Sequence, residues 1–213
     1  ASVKFEKVWI FDLDNTLHNA APHIFPHINR SMTEYLQTHL GLDEAAAGEL
    51  RRTYWLRYGA TLLGLMRHHQ TDPAHFLWHT HQFPGLGAML VREPLLRSTL
   101  RPLPGRKIVF SNAPVHYARA ILKLLAISDL FDDVFSIERT RYRPKPDSYG
   151  FLRLCRGHRL KRQRCIMVED NLANLRTPPR LGMKSVWVSR TRRAPGYVDV
   201  RIARLAQLPR LLA

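Results

Sequence analysis

Four consecutive apolar residues, Val8-Trp9-Ile10-Phe11, run straight into the acidic, turn-forming stretch Asp12-Leu13-Asp14-Asn15-Thr16-Leu17. A short continuous apolar run ending this way predicts a central parallel strand with both faces covered. Over residues 24–100 the period changes. Ile28, Met32, Tyr35 and Leu36 fall at helical spacing, residues 50–66 predict a further helix, and no strong strand signal interrupts the segment. Strand signals return at residues 107–110 and then alternate with helical ones. A helix is predicted over 117–125, a short strand near Val134-Phe135, a helix over 149–155, and strands at 165–168 and 185–188. Such alternation implies parallel strands joined by right-handed crossovers. The expected fold is therefore α/β: a parallel sheet core from residues 1–17 and 101–213, with an all-helical cap, residues 18–100, inserted after the first strand. Open parallel sheets bind ligands beyond the carboxyl ends of their strands, so the cleft between core and cap is the expected site.

Composition narrows this picture. A chain of 213 residues with a hydrophobic fraction of 45% has material for one sizeable core with a smaller insertion. Its apolar runs are far shorter than the roughly 20 residues a bilayer requires. Residues 1–4 lack the charged start and long apolar stretch of a signal peptide. The expectation is a cytoplasmic protein with no membrane association. Cys155 and Cys165 stand in no C-x-x-C pattern and read as small buried side chains, with neither a disulfide framework nor a zinc site implied. The eleven histidines, His68-His69 and His79-x-His81 among them, form no metal pattern along the chain and read as mostly surface residues of the cap. A net charge of +16 raises the prospect of nucleic acid, acidic lipid or a phosphorylated substrate as partner. The arginines are scattered, however, without the interleaved aromatics of single-strand binders, so a solvated basic surface is the simpler reading and nucleic acid is not the expected partner.

The chemistry concentrates at strand ends. Asp12 and Asp14 place two carboxylates two residues apart after the first strand. One carboxylate can attack phosphorus to form an acyl phosphate while the other protonates the leaving oxygen and later activates water. Ser111-Asn112 follows the second strong strand and offers a hydroxyl and an amide to phosphate oxygens. Lys145, between Pro144 and Pro146, offers a rigidly held ammonium. Glu169-Asp170 ends another apolar strand, and carboxylates there suit Mg²⁺, a hard cation that shares its oxygen ligands with a substrate phosphate.

In this order, Asp12-Leu13-Asp14-Asn15-Thr16, Ser111-Asn112, Lys145 and Glu169-Asp170 resemble the four motifs of the haloacid dehalogenase superfamily across nearly the whole chain. The resemblance implies a Rossmann-like core with Asp12 as nucleophile, Asp14 as general acid/base, and phosphate binding by Ser111, Asn112 and Lys145. It also implies Mg²⁺ held by Asp12, Asp170 and the backbone carbonyl of Asp14, with Glu169 assisting. The dehalogenases that name the superfamily lack the second aspartate, so Asp14 favours phosphate esters. Residues 58–65, Tyr-Gly-Ala-Thr-Leu-Leu-Gly-Leu, and 105–113, Gly-Arg-Lys-Ile-Val-Phe-Ser-Asn-Ala, are similar to the pyrimidine 5′-nucleotidase branch. So are Phe131-Asp132, residues 135–138 and Arg143-Pro144-Lys145-Pro146. That likeness implies a nucleoside monophosphate as substrate, with Thr61, Tyr58 and His18 as positions to test for contact with its leaving group. Phosphatase or phosphomutase action on sugar phosphates or phosphoglycolate is the alternative activity. A nucleic-acid-binding or regulatory protein on the same fold is the non-enzymatic alternative. Pro178-Pro179 departs from the superfamily pattern and requires the helix after Asn174 to start late and be short.

Overall fold

The first apolar run forms strand β1, Val8–Phe11, with all four side chains buried. The structure is a computed structural model and describes residues 7–212. The expectation drawn from residues 1–4, and the first six residues of the expected core, lie outside the described residues. Successive side chains of a strand leave opposite faces. Trp9 and Phe11 accordingly enter one hydrophobic cluster, and Val8 and Ile10 another. After β1 come β2 (His18–Asn19), helices α1 (Ile24–Leu40), α2 (Glu44–Tyr58), α3 (Thr61–His69), α4 (Pro73–Thr80) and α5 (Leu86–Met89), β3 (Val91–Arg92) and α6 (Leu96–Leu100). The remainder alternates: β4 (Arg106–Phe110), α7 (Val115–Leu124), β5 (Asp133–Phe135), α8 (Ser148–Gly157), β6 (Cys165–Glu169), α9 (Thr177–Arg180), β7 (Lys184–Val188) and β8 (Val200–Ile202).

Six strands form one parallel sheet in the order β5-β4-β1-β6-β7-β8. The chain leaves β1 for β4 and β5 on one side, then returns to the other side for β6, β7 and β8. The order reverses between β1 and β6, and the crevice at their carboxyl ends is where ligands bind in such sheets. Pairing continues one residue past β1, where Asp12 N–H donates to the Val168 carbonyl at 2.9 Å. Asp12 thus enters that crevice at a fixed register. Buried Tyr117, Ala118, Ile121 and Leu122 bring α7 onto one face of the sheet. Phe151, Leu154 and Cys155 bring α8 onto the other. Both cysteines are free and buried, as expected. Gly105, at φ +88°, makes the turn into β4, where an added Cβ would fall 2.0 Å from the Lys7 carbonyl oxygen.

Helices α1 to α4 share a core of their own, built on Leu36, Ala47, Leu62, Leu65, Phe76 and Leu77. Asp43 caps α2 by accepting from Ala46 N–H, and Asp72 caps α4 by accepting from Ala74 N–H. The expected helix over 50–66 is in fact two. Gly59 at φ +80° closes α2 with its N–H on the Trp55 carbonyl, and α3 restarts at Thr61. The segment 18–100 is also not wholly helical, because β2 and β3 pair antiparallel, His18 opposite Arg92 and Asn19 opposite Val91. Leu96 and Leu100 of α6 join the sheet-face cluster. The double proline behaves as expected: Pro178 lies in the first turn of α9, which ends at Arg180.

Candidate active site

Lys145 organises the crevice. Its backbone is clamped by Asn112, whose Oδ1 accepts from Lys145 N–H at 2.8 Å and whose Nδ2 donates to the Lys145 carbonyl at 3.2 Å. The side chain is fully buried, and its three protons have three acceptors: Asp12 Oδ1 at 2.6 Å, Glu169 Oε2 at 2.8 Å and the Phe110 carbonyl at 2.8 Å. Burial alone would lower its pKa, but the two carboxylates outweigh burial and hold it above the usual lysine range. Glu169 is also held in place, since Oε2 accepts from Asn174 Nδ2 at 3.1 Å and Oε1 from Asn171 N–H at 3.1 Å.

Asp12 and Asp170 face each other across Thr16. The Thr16 hydroxyl lies 3.3 Å from Asp12 Oδ2 and 3.2 Å from Asp170 Oδ1, and its single hydrogen can serve only one of them at a time. Burial, then the charge of Glu169, pushes Asp12 up to about 7 despite Lys145. Burial, then Asp12, pushes Asp170 up to about 6. Burial also raises Glu169. Asp12, Glu169 and Asp170 each offer an oxygen within 4.8 Å of the others, and among the described residues they are the one acidic or histidine-bearing group set so closely. Three acids against one ammonium leave negative charge uncompensated. Oxygen donors with surplus charge suit a hard divalent cation. Asp12 Oδ2 and Asp170 Oδ1, which share only the Thr16 hydroxyl, are better placed for it than Glu169, which already accepts from Lys145 and two amides.

The Asp14 side chain belongs to a different set of contacts. Tyr117 donates its hydroxyl to Asp14 Oδ1 at 2.6 Å, and His18 Nε2 meets the same oxygen at 2.9 Å. Both partners are buried, and burial together with Asp14 drives the Tyr117 phenol far above its ordinary pKa. Tyr117 therefore stays protonated as a donor. With two donors on Oδ1, Oδ2 carries no protein hydrogen bond. The two aspartates, two residues apart, thus occupy different environments: one bound to the Lys145 ammonium, the other held by Tyr117 and His18.

A cavity of about 650 Å³ opens over these groups, lined from the sheet side by Asp12, Asp14, Ser111, Asn112, Glu169 and Asp170. Ser111 Oγ accepts from Ala113 N–H at 3.0 Å, which leaves its hydroxyl hydrogen to donate. Thr61 lines the cavity, but its hydroxyl donates to the Arg51 carbonyl at 3.0 Å. Tyr58 is not among the lining residues and pairs with His68 Nε2 at 2.6 Å. His18 sits behind Asp14 rather than in the cavity wall.

The helical side contributes residues that motif spacing missed: Asn29, Arg51, Arg52, Trp55 and His81. Arg51 Nη1 donates to Asn29 Oδ1 at 2.9 Å, while its buried Nε has no partner. Burial drives His81 down to about 4, so it is neutral. Its Nδ1 meets only acceptors, the Leu77 carbonyl at 3.2 Å and Thr80 Oγ1 at 3.0 Å, since Thr80 gives its own proton to Phe76. That network assigns the hydrogen to Nδ1 and leaves Nε2 as an acceptor. The surface reading of the histidines thus fails at His18 and His81, both buried.

Paired carboxylates, a buried lysine and an acidic corner meet at the switch point of a doubly wound sheet. The chain belongs to the haloacid dehalogenase-like hydrolase family, whose family model matches residues 6–182. It is 26% identical over 196 residues to Phosphate metabolism protein 8 of Saccharomyces cerevisiae, covering 84% of this chain and 60% of the yeast protein. The chain thus spans less than two thirds of that relative's length. Its fold is similar to that of a HAD phosphatase from Thermococcus onnurineus, with a TM-score of 0.68, 23% identity and coverage of 97% and 98% of the two chains. It is also similar to L-2-haloacid dehalogenase from Xanthobacter autotrophicus with chloropropionic acid covalently bound, with a TM-score of 0.62, 18% identity and 98% coverage of each chain. Likeness at those identities concerns the fold.

Proposed function

We propose that this hydrolase is a Mg²⁺-dependent phosphatase that works through a phosphoryl group carried on Asp12. The separate environments of Asp12 and Asp14 carry this reading. Asp12 attacks phosphorus, and the P–O bond to the leaving alcohol breaks as Asp14, protonated on its open Oδ2, gives that alcohol its proton. Asp14, now a carboxylate, then takes a proton from water; the water oxygen attacks phosphorus, the acyl phosphate bond breaks, and Asp12 is restored as phosphate departs. Lys145 orients Asp12 and offsets its charge, and Ser111 donates to a phosphoryl oxygen. Asn112 acts chiefly by clamping Lys145. Mg²⁺ held by Asp12, Asp170 and the Asp14 carbonyl would neutralise charge between carboxylate and phosphate; Glu169 supports it indirectly by fixing Lys145. Helices α1 to α4 form the cap, joined to the core through the paired β2 and β3, and the cap excludes water from the acyl phosphate.

For the substrate, a pyrimidine nucleoside monophosphate is the finer reading. It is supported by the motif resemblance, by the likeness to a yeast protein named for phosphate metabolism, and by Trp55, a 58% exposed indole at the cavity wall suited to a flat base. Arg51 and Arg52 on the same wall favour one alternative, a small ester with a second negative charge such as phosphoglycolate or a sugar bisphosphate. Phosphate release from a panel of nucleotides, phosphoglycolate and sugar phosphates separates the two. Asp12→Asn is expected to reduce Mg²⁺-dependent release from an aryl phosphate by at least about 10³-fold. Retained release would remove the basis for this mechanism.

A further inference from the structure

Away from the cleft, the helical layer gathers three imidazoles that lie far apart in sequence. His75 and His79 are one turn apart on α4, with ring centroids 4.2 Å from each other. His39, in the last turn of α1, comes within 5.2 Å of His75 and 6.4 Å of His79. All three are exposed. Tyr35, one turn before His39, fixes the arrangement from beneath. Its ring lies 4.1 Å from that of His39, packs edge-on against buried Phe76 at 5.0 Å, and its hydroxyl meets His75 Nδ1 at 2.8 Å.

The ring spacing can be compared with that of a nitrogen-donor metal site. Imidazole nitrogens bind zinc tetrahedrally at about 2.0–2.1 Å, which places ring centres roughly 5 Å from one another. The three observed separations straddle that value. Because the Tyr35 hydroxyl holds His75 Nδ1, Nε2 is the nitrogen left to face an ion, and Tyr35 stands where metal-binding histidines have their outer hydrogen-bond partner. The three histidines are not set within the 4.8 Å that joins the acidic oxygens of the cleft, so binding an ion would require the exposed His39 and His79 rings to rotate toward His75, which Tyr35 holds.

We propose that His39, His75 and His79 form a second metal site, for a borderline divalent transition metal of which zinc is the first to test, with solvent completing the coordination. Imidazoles select zinc, copper, nickel or cobalt, whereas the all-oxygen cleft selects magnesium, so the two sites sort their metals by donor chemistry. The bound ion ties the end of α1 to α4 and braces the helical layer without touching the catalytic groups.

Titration of the full chain with Co²⁺ in saturating Mg²⁺, followed by visible absorption, tests this. One cobalt per chain is expected, displaced by Zn²⁺, with Zn²⁺ also raising the melting temperature. His39→Ala and His79→Ala should each weaken cobalt binding at least tenfold while Mg²⁺-dependent turnover and circular dichroism stay unchanged. His68→Ala, whose ring pairs with Tyr58 elsewhere, and Asp170→Asn should retain it. Absence of cobalt binding in the unmodified chain, undiminished affinity in His39→Ala or His79→Ala, or loss of the cobalt signal in Asp170→Asn would each overturn the proposal. His39→Gln distinguishes loss of a ligand from loss of helix: it keeps the helix and must still weaken binding.

Discussion

Asp12 lies between one buried cation and a competing acid, and that balance makes the protein sensitive to pH and metal together. Asp12 and Asp170, pushed up to about 7 and about 6, hold protons in the folded state that the unfolded chain releases near pH 4. A carboxylate raised on folding loses stability as pH climbs from its unfolded to its folded value, so the metal-free protein should weaken between about pH 4 and 7 from these two groups. A cation in the acidic corner reverses that loss. The rise in melting temperature caused by Mg²⁺ should therefore be larger at pH 8 than at pH 5, and Asp170→Asn should flatten the difference; a Mg²⁺ effect independent of pH would contradict the electrostatics. In the proposed mechanism Tyr117 acts through Asp14, to which it donates its hydroxyl, as a positioning residue. Tyr117→Phe should lower kcat about tenfold on alkyl phosphates, a part of the 10²–10⁴ a general acid contributes, and much less on an aryl phosphate whose leaving group needs no proton. Equal losses on both would point to a merely structural role. Asp12, Asp14, Lys145 and Asp170 were legible in the sequence because each follows or flanks a recognisable element end. Tyr117 and Arg51 were not, because their partners Asp14 and Asn29 lie on other elements, and His81 was not, because its side-chain hydrogen bonds stay within α4 and ordinary helical spacing does not mark which of its faces meets the cavity.

The elements themselves were legible in proportion to their length and burial. Strands β1, β4, β6 and β7 show as continuous apolar runs because both faces of the sheet are covered. Two-residue β2 and β3 and three-residue β8 are too short to carry a period, so the strap between the layers and the sheet's last strand escaped notice. The break between α2 and α3 is written in Gly59, but the apolar residues on either side keep helical spacing and mask it. The contact of these two helices depends on Gly64, where a Cβ would lie 2.2 Å from Tyr54 Cγ and 2.6 Å from its Cβ. Those atoms sit near the backbone and cannot swing aside. Gly64→Ala should cost about 1–3 kcal/mol, read as a lowered urea midpoint, and Tyr54→Ala in the same chain should recover part of it. An unchanged midpoint would mean that the two helices are free to separate.

At the scale of the whole molecule, the alternation of strands and helices specified a parallel sheet with an insertion, and the reversal of strand order between β1 and β6 placed the cleft where that architecture requires it. The sequence could not show which face of the helical layer meets the sheet, because that depends on packing among α1 to α4. It therefore offered Tyr58 and His18 for contact with the leaving group, where the cavity presents Arg51, Trp55 and His81. Much of the +16 charge stays on the exposed surface, Arg153, Arg156, Arg190, Arg192 and Arg193 included, where it attracts anions in general. Among the described residues no helix is long and apolar enough to cross a membrane. Whether Asp12 carries the phosphoryl group can be read in Asp14→Asn protein. With an aryl phosphate the first transfer needs no proton from residue 14, while the second stalls without a base. Acid quenching after mixing with Mg²⁺ and the aryl phosphate, followed by peptide mass spectrometry, should find one phosphoryl group on the peptide containing Asp12, and none when Asp12 is also changed to Asn. A phosphoryl group on another residue, or burst release of phenol with no labelled peptide, would contradict it.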